Sequence, residues 1–85
     1  MKDNNFKEVN HDFGWAIKAL KEGKSVLRSG WNGKNMYLYY VPSHTKDEKY
    51  YDAYIMMYTA IGTNIPWLAS QSDALSEDWE IKKEK

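Results

Sequence analysis

Two stretches of this chain carry large apolar or aromatic side chains on both faces of a predicted strand, and they constrain the fold most. Met36–Val41 alternates with period two, and each face holds only apolar or tyrosine side chains. Tyr54–Thr59 shows the same pattern over its first five residues. A strand with one face in water alternates apolar with polar residues, so we expect both strands to be covered on both sides. Because 85 residues form only one small core, a second copy of the chain is the natural cover.

Capping residues and periodicity predict the elements around these strands. Asp12 is typical of a helix N-cap, apolar residues follow it at helical spacing, and Gly23 is typical of a C-terminal cap. Short strands are predicted at residues 24–29 and 78–81, and a charged surface loop at residues 45–49.

A short second helix is predicted after Ser70, which forms a variant capping box with Asp73. We assign its apolar face to Ala74 and Leu75. The fold class is therefore α+β: a small antiparallel sheet with one packed helix and a short second helix, assembled as a homo-oligomer. We divide the chain into a polar N-terminal extension, residues 1–11, and one α+β ligand-binding domain, residues 12–85.

Composition excludes several classes of protein. Twelve cations balance twelve anions, which argues against a protein that binds nucleic-acid polymers through their phosphates. There is no cysteine for a disulfide or a thiolate, and no apolar run approaches a membrane span. The sequence thus predicts a soluble intracellular protein. Four tryptophans and seven tyrosines are many for this length, and such rings gather in interfaces and ligand walls.

Catalytic patterns are missing from the sequence. His11 and His44 lie in polar stretches, where a solvated histidine is the more common case. The carboxylates Asp73, Glu77 and Asp78 lie near helix ends, where capping accounts for them. No metal-ligand spacing, nucleophile elbow or phosphate-binding glycine motif occurs. We therefore predict a protein that is not an enzyme and uses neither metal nor cofactor.

The segment Arg28–Lys34 places a tryptophan between two glycines and flanks the turn with two cations. Trp31 offers a plane on which a base can stack, Arg28 and Lys34 can bind an anion, and Asn32 can donate or accept hydrogen bonds. These residue types suit a base and its phosphate. They also suit a plain hairpin turn at Asn32 and the glycine after it, with Trp31 in the core. Local chemistry alone favours the hairpin.

A second block, residues 65–79, reads Ile-Pro-Trp-Leu-Ala-Ser-Gln-Ser-Asp-Ala-Leu-Ser-Glu-Asp-Trp. Together with Gly-Trp-Asn-Gly-Lys at residues 30–34 and Met-Tyr-Leu at residues 36–38, it resembles one family. These are the small phage anti-defence proteins of the second Thoeris-inhibitor type, formerly a domain of unknown function. The resemblance extends from about Phe13 to about Ile81.

The resemblance implies a protein that sequesters an immune signalling nucleotide of the cyclic ADP-ribose type, glycocyclic ADP-ribose, and so blocks bacterial Thoeris defence without degrading the signal. Cyclic dinucleotides are an implied second ligand class. The resemblance also implies homotetramers with pockets between subunits, acting in the host bacterial cytoplasm, with no nucleic-acid polymer and no membrane as partner.

Carried over by motif, the first block supplies part of the ligand site. Trp31 would be an aromatic of the pocket, and Asn32 and Lys34 would approach ribose or phosphate. Arg28 would contact the pyrophosphate, because a guanidinium can grip two oxygens at once.

The second block supplies the remaining implied contacts. Trp67 would stack on the ligand, while Ser70, Gln71 and Asp73 would make polar contacts to base or ribose. A core position is an alternative for Trp67, and for Trp79 we favour the core.

Two other functions stay open from the residues themselves. One is an enzyme that cleaves the same signal. The other is a protein-interaction module that inhibits a host protein through its tyrosine-rich surface. The resemblance favours sequestration over both.

Overall fold

The structure is a computed structural model that describes residues 11–83. Its elements in chain order are α1 (Phe13–Lys21), β1 (Val26–Arg28), β2 (Tyr37–Val41), β3 (His44–Lys46), β4 (Lys49–Tyr51), β5 (Tyr54–Tyr58), β6 (Asn64–Pro66), α2 (Gln71–Leu75) and β7 (Trp79–Ile81). The predicted antiparallel sheet with one packed helix and a short second helix is confirmed. Except for His11, the predicted N-terminal extension lies outside the described residues.

Helix α1 has the predicted caps at both ends. The side chain of Asp12 accepts a hydrogen bond from the backbone N–H of Trp15 at 2.9 Å, as an N-cap does. Glu22 is the C-cap that follows the last helical residue, Lys21. Gly23 comes next with φ of +90°, a conformation that favours glycine. Ala16 and Leu20 are fully buried, so α1 packs on the sheet through the predicted stripe.

The five-stranded sheet has the order β6-β5-β2-β1-β7, and all its pairs are antiparallel. Val26 lies opposite Leu38, which lies opposite Met57 on its other side. Directly paired residues share a face, so these side chains point together toward α1. The buried apolar core consists of Ala16, Ala19, Leu20, Val26, Leu38, Met57 and Trp79.

The opposite face of the sheet is rich in tyrosine. We call it the tyrosine face; the cross-strand pairs on it are Tyr37–Tyr58, Tyr39–Met56 and Val41–Tyr54. The rings of Tyr37 and Tyr58 stack with centroids 5.1 Å apart. Since α1 packs on the other face, the tyrosine face carries no helix within residues 11–83, and most of its side chains are half-buried.

The sequence analysis missed three strands. The predicted loop at residues 45–49 is wrong, because β3 and β4 form a hairpin there. Asp47 and Glu48 make its turn with φ of 53° and 66°, the positive values of a type I′ turn, without the usual glycine or asparagine. Strand β6 extends the sheet beside β5, where no strand was predicted. Its Pro66 lies on an edge strand, where a missing N–H is tolerated.

Helix α2 has the predicted capping box but not the predicted apolar face. The side chain of Ser70 accepts a hydrogen bond from the backbone N–H of Asp73, and the Asp73 carboxylate accepts one from the backbone N–H of Ser70. Leu75 is 79 % exposed and Ala74 is exposed as well. Asp73 is the buried residue of α2, because its carboxylate binds side chains from the sheet and the loop after β1.

Candidate functional site

A salt-bridge cluster connects the two sequence blocks. Arg28, at the end of β1, donates from Nη1 to Asp73 Oδ1 at 2.8 Å and from Nε to Asp78 Oδ1 at 2.9 Å. We call these three residues the Arg28 cluster. The side chains of Arg28 and Asp73 are only 18 % and 13 % exposed. Both bonds are therefore charge-assisted and largely shielded from water.

Asp78 ties the cluster to the loop that follows β1. Its Oδ2 accepts hydrogen bonds from the backbone N–H of Gly30 at 2.8 Å and from Ser29 Oγ at 3.4 Å. The backbone carbonyl of Asp78 accepts from the N–H of Ser29 at 3.1 Å, and Ser76 Oγ donates to Oδ1. One aspartate thus holds two consecutive loop residues and the arginine before them.

These contacts shift the ionisation of all three charged groups. Burial would raise the pKa of Asp78, but hydrogen bonds from Ser76, Arg28 and the Gly30 N–H outweigh it and lower that pKa to about 2. Burial likewise opposes ionisation of Asp73, yet its bonds from Arg28 and its other donors lower its pKa. Hydrogen bonds to both carboxylates raise the pKa of Arg28. The cluster is therefore fully charged near neutral pH.

Asp73 links the cluster to two tryptophans. Its Oδ1 accepts from Trp31 Nε1 at 3.3 Å, and its backbone carbonyl accepts from Trp79 Nε1 at 3.2 Å. Trp79 is 1 % exposed, which confirms the predicted core position. The edges of Trp31 and Trp67 pack against it at near-perpendicular angles, with centroids 5.6 and 6.1 Å away. Trp31 and Trp67 are both half-buried.

The loop between β1 and β2 does not contain the two-residue hairpin turn at Asn32. It runs from Ser29 to Met36 and contains two turns, one at Ser29–Gly30 and one at Lys34–Asn35, where Asn35 takes a φ of 64°. The hairpin interpretation is wrong in its position. That interpretation also placed Trp31 in the core, which is right in part: the Trp31 ring packs against the Trp79 ring, but Trp31 is only half-buried.

A cleft of about 310 Å³ opens where this loop meets the end of β7. We call it the Trp31 cleft; it is lined by Leu27, Arg28, Ser29, Trp31, Gly33, Asn35, Met36, Tyr37, Lys82 and Lys83. Lys82 Nζ lies 5.1 Å from the centroid of the Tyr37 ring, within cation–π distance. The cleft therefore combines two aromatic rings with two lysines and one arginine.

The structure brings some of the predicted site residues together and not others. Arg28 and Trp31 line the cleft, and Ser70 and Asp73 are bonded behind them. The predicted residues that are exposed and lie outside this lining are Asn32, Lys34, Ser70 and Gln71. Trp67 does not line the cleft; its ring packs against Trp79 and is tilted against Phe13.

Several residues of the site were missed by the sequence analysis. Tyr37 was assigned only to a strand, and Lys82 and Lys83 were given no part in the site. Asp78 was assigned to capping, but it binds the loop after β1 instead. Alternation along β2 gives the face on which Tyr37 lies, whereas no local signal indicates that Lys82 faces it.

The described residues form neither a metal site nor a membrane-spanning helix. In the chain from 11 to 83, no three histidine, aspartate or glutamate side chains group as metal ligands would. Neither helix of that part of the chain is long and apolar enough to cross a membrane.

Comparison with known proteins agrees with the sequence motifs. The family model of the Thoeris anti-defense 2-like domain matches residues 11–82. The chain is also similar to Thoeris anti-defense 2 of Bacillus phage SP01, with 38 % identity over 81 residues, covering 81 % of this chain and 91 % of that protein. The match includes both sequence blocks, the Arg28 cluster and nearly all of the cleft. The chain belongs to the Thoeris anti-defense 2-like family.

Proposed function

We propose that this protein binds and sequesters a nucleotide signal of the cyclic ADP-ribose type, glycocyclic ADP-ribose, and so blocks Thoeris defence without degrading the signal. One observation carries the proposal: a chain of this anti-defence family has a cleft that combines Trp31 with Lys82 and Lys83. A base and a pyrophosphate need such an aromatic plane beside cations.

The cleft of one chain supplies part of the free energy that tight binding needs. Stacking on one aromatic ring contributes about 1–3 kcal/mol, and a charge-assisted bond to phosphate adds roughly 1.5–3 kcal/mol. Trp31 and Tyr37 provide two rings, and Lys82 and Lys83 provide two cations, so these four contacts supply about 5–12 kcal/mol before the cost of association. Nanomolar affinity, about −12 kcal/mol, therefore needs further contacts, which we assign to the pocket between subunits. Sequestration requires this affinity because the free signal must fall below the level that its effector senses.

Arg28 has a restricted part in this proposal. Its Nε and one N–H of Nη1 already donate to carboxylates, which leaves Nη2 and the other N–H of Nη1 for the predicted pyrophosphate contact. We assign most of the phosphate contacts to Lys82 and Lys83, which line the cleft. Lys34, on the same loop as Trp31, is proposed to add a further contact to phosphate or ribose. A lysine amine at the end of a flexible side chain can follow a phosphate that the fixed guanidinium cannot reach.

The predicted residues of the second block divide into two groups. The exposed amide of Gln71 and the half-buried ring of Trp67 lie outside the lining of the Trp31 cleft, so their proposed roles, a polar contact from Gln71 and stacking from Trp67, need the pocket between subunits. Ser70 and Asp73 make hydrogen bonds within the chain, so we propose that they act through Arg28 and Trp31.

Self-association completes the proposal. A single-chain cleft of about 310 Å³ is at the lower limit of ligand pockets, roughly 300–1,000 Å³. The tyrosine face continues from the cleft through Tyr37. We propose a homotetramer in the host bacterial cytoplasm, in which a second subunit covers this face and enlarges the pocket.

One observation favours a second candidate function. Tyr50 is 68 % exposed and Tyr51 is 41 % exposed on the β3–β4 hairpin. Exposed tyrosines are typical of protein–protein interfaces, so a module that inhibits a host protein is the alternative. It predicts capture of one host protein and no retained nucleotide.

The test is calorimetric titration of the purified protein with glycocyclic ADP-ribose, with a matched pair of lysine variants. Lys82→Ala removes a cleft cation and should weaken binding roughly tenfold or more. Lys46→Ala removes an exposed cation of β3 and should leave affinity unchanged. Equal affinities of both variants and the wild-type protein would place the ligand elsewhere. A cyclic dinucleotide added as competitor shows whether one pocket serves both ligand classes.

A further inference from the structure

We propose that Asp78 is the positioning residue that fixes the Arg28–Lys34 loop in its ligand-binding conformation. This inference rests on the proposed function, because it assigns Asp78 a part in the same site. Asp78 does not line the Trp31 cleft, so it acts through the residues that do.

The geometry shows how one carboxylate can set the loop. Oδ1 accepts from Arg28 Nε and Oδ2 accepts from the N–H of Gly30, at 2.9 and 2.8 Å. The main chain of the same residue accepts from the N–H of Ser29. Arg28, Ser29 and Gly30 are thus all held by one residue, which immediately precedes β7.

Gly30 has a specific reason to be glycine. A Cβ at this position would lie 2.8 Å from Asp78 Oδ2, closer than atoms pack. Its φ is not in the left-handed region, so backbone freedom is not the reason. The missing side chain makes room for the carboxylate.

Trp31 depends on this arrangement. It follows Gly30 directly, its N–H donates to the Arg28 carbonyl at 3.2 Å, and its indole N–H donates to Asp73, which Arg28 also binds. Its ring therefore takes its position from contacts that Asp78 organises. A loop held before the ligand arrives loses less conformational freedom on binding, which raises affinity.

The test uses Asp78→Asn with Glu77→Gln as the matched control. Arg28 and Gly30 bond to different oxygens of Asp78, and Asp78→Asn replaces one of these oxygens with an NH2 group that cannot accept, so one of the two bonds is lost. Glu77 is the adjacent carboxylate in sequence and its side chain is exposed. The readouts are the affinity for glycocyclic ADP-ribose and hydrogen exchange of individual amides, both at a temperature where every variant is folded.

We expect Asp78→Asn to weaken binding roughly tenfold to a hundredfold, with faster exchange at Gly30 and unchanged exchange at Leu38 in the core. Glu77→Gln should match the wild-type protein. If Asp78 only stabilised the fold in general, hydrogen exchange would accelerate at the backbone N–H groups of both Gly30 and Leu38, because general destabilisation also opens the core.

Each other outcome has a definite meaning. Wild-type affinity in Asp78→Asn overturns the inference and leaves the proposed function standing. A wild-type protein that does not bind the nucleotide overturns the proposed function and the inference with it. If Asp78→Asn does not fold, Gly30→Ala perturbs the same contact from the loop side; lost affinity in a folded Gly30→Ala supports the inference, and retained affinity overturns it.

Discussion

Removal of the Arg28 guanidinium is expected to destabilise the fold far more than removal of an exposed cation. Arg28→Ala leaves Asp73 and Asp78 as partly buried carboxylates without their cation. Breaking a fully buried pair costs about 3–5 kcal/mol, and breaking an exposed one about 0–1 kcal/mol. With exposures of 18 % for Arg28, 13 % for Asp73 and 30 % for Asp78, we expect a loss of about 3 kcal/mol.

Urea unfolding followed by tryptophan fluorescence measures this loss. Protein concentration must be held fixed, because the proposed self-association would make apparent stability depend on it. In thermal unfolding the same loss lowers Tm by more than ~10 °C in a domain of this size. The control is Lys18→Ala, which breaks the Lys18–Glu22 salt bridge, whose side chains are 77 % and 47 % exposed.

We expect no resolvable change for this control. A double-mutant cycle of Arg28→Ala and Asp73→Ala should show a coupling above about 1 kcal/mol, since the two side chains are in direct contact. If Arg28→Ala costs no more than Lys18→Ala, the reasoning from burial is refuted.

Three further predictions concern stability. The pKa of Asp78 is about 2 in the folded state and about 3.9 in an unfolded chain. The ionised carboxylate therefore stabilises the fold fully above about pH 3.9, and this stabilisation is lost as the pH falls toward 2. This amounts to about 2 kcal/mol, and Asp78→Asn should flatten that part of the curve of unfolding free energy against pH. Ser70→Ala removes the N-cap of α2 and should cost about 1 kcal/mol in urea unfolding; an unchanged midpoint would contradict the capping role. Gly14→Ala should raise the unfolding free energy by roughly 0.5–1 kcal/mol, because alanine loses less backbone entropy than glycine when it enters a helix. The new Cβ has room, since the nearest atom, Asp12 Oδ1, lies 3.6 Å away.

Elements with local signals were predictable from the sequence. The caps at Asp12 and Ser70 and the turn at Gly23 depend on neighbouring residues, so the residue types alone indicate them. The alternation along β2 and β5 likewise gave both strands and the residues that share a face, although it did not indicate which face turns to the core.

Elements without local signals were not predictable. The β3–β4 turn uses Asp47 and Glu48, which do not mark a hairpin as glycine or asparagine does. Strand β6 exists because it pairs with β5, and its Pro66 argues against a strand in the sequence.

Only the residues of the site that have a local sequence signal could be predicted. The sequence indicated Arg28 and Trp31, and both line the cleft. It could not indicate that two carboxylates 45 and 50 residues away hold the Arg28 guanidinium, because a paired arginine and a free one look alike in sequence. Lys82 enters the site only through the pairing of β7 with β1.

Retention of the intact signal tests the central claim most directly. Purified protein is incubated with glycocyclic ADP-ribose, free ligand is removed, the protein is heat-denatured, and the supernatant is analysed by mass spectrometry. Sequestration predicts near-stoichiometric release of unmodified signal. Cleaved signal would make the protein an enzyme, and an empty supernatant would contradict nucleotide binding and leave inhibition through a protein partner as the alternative.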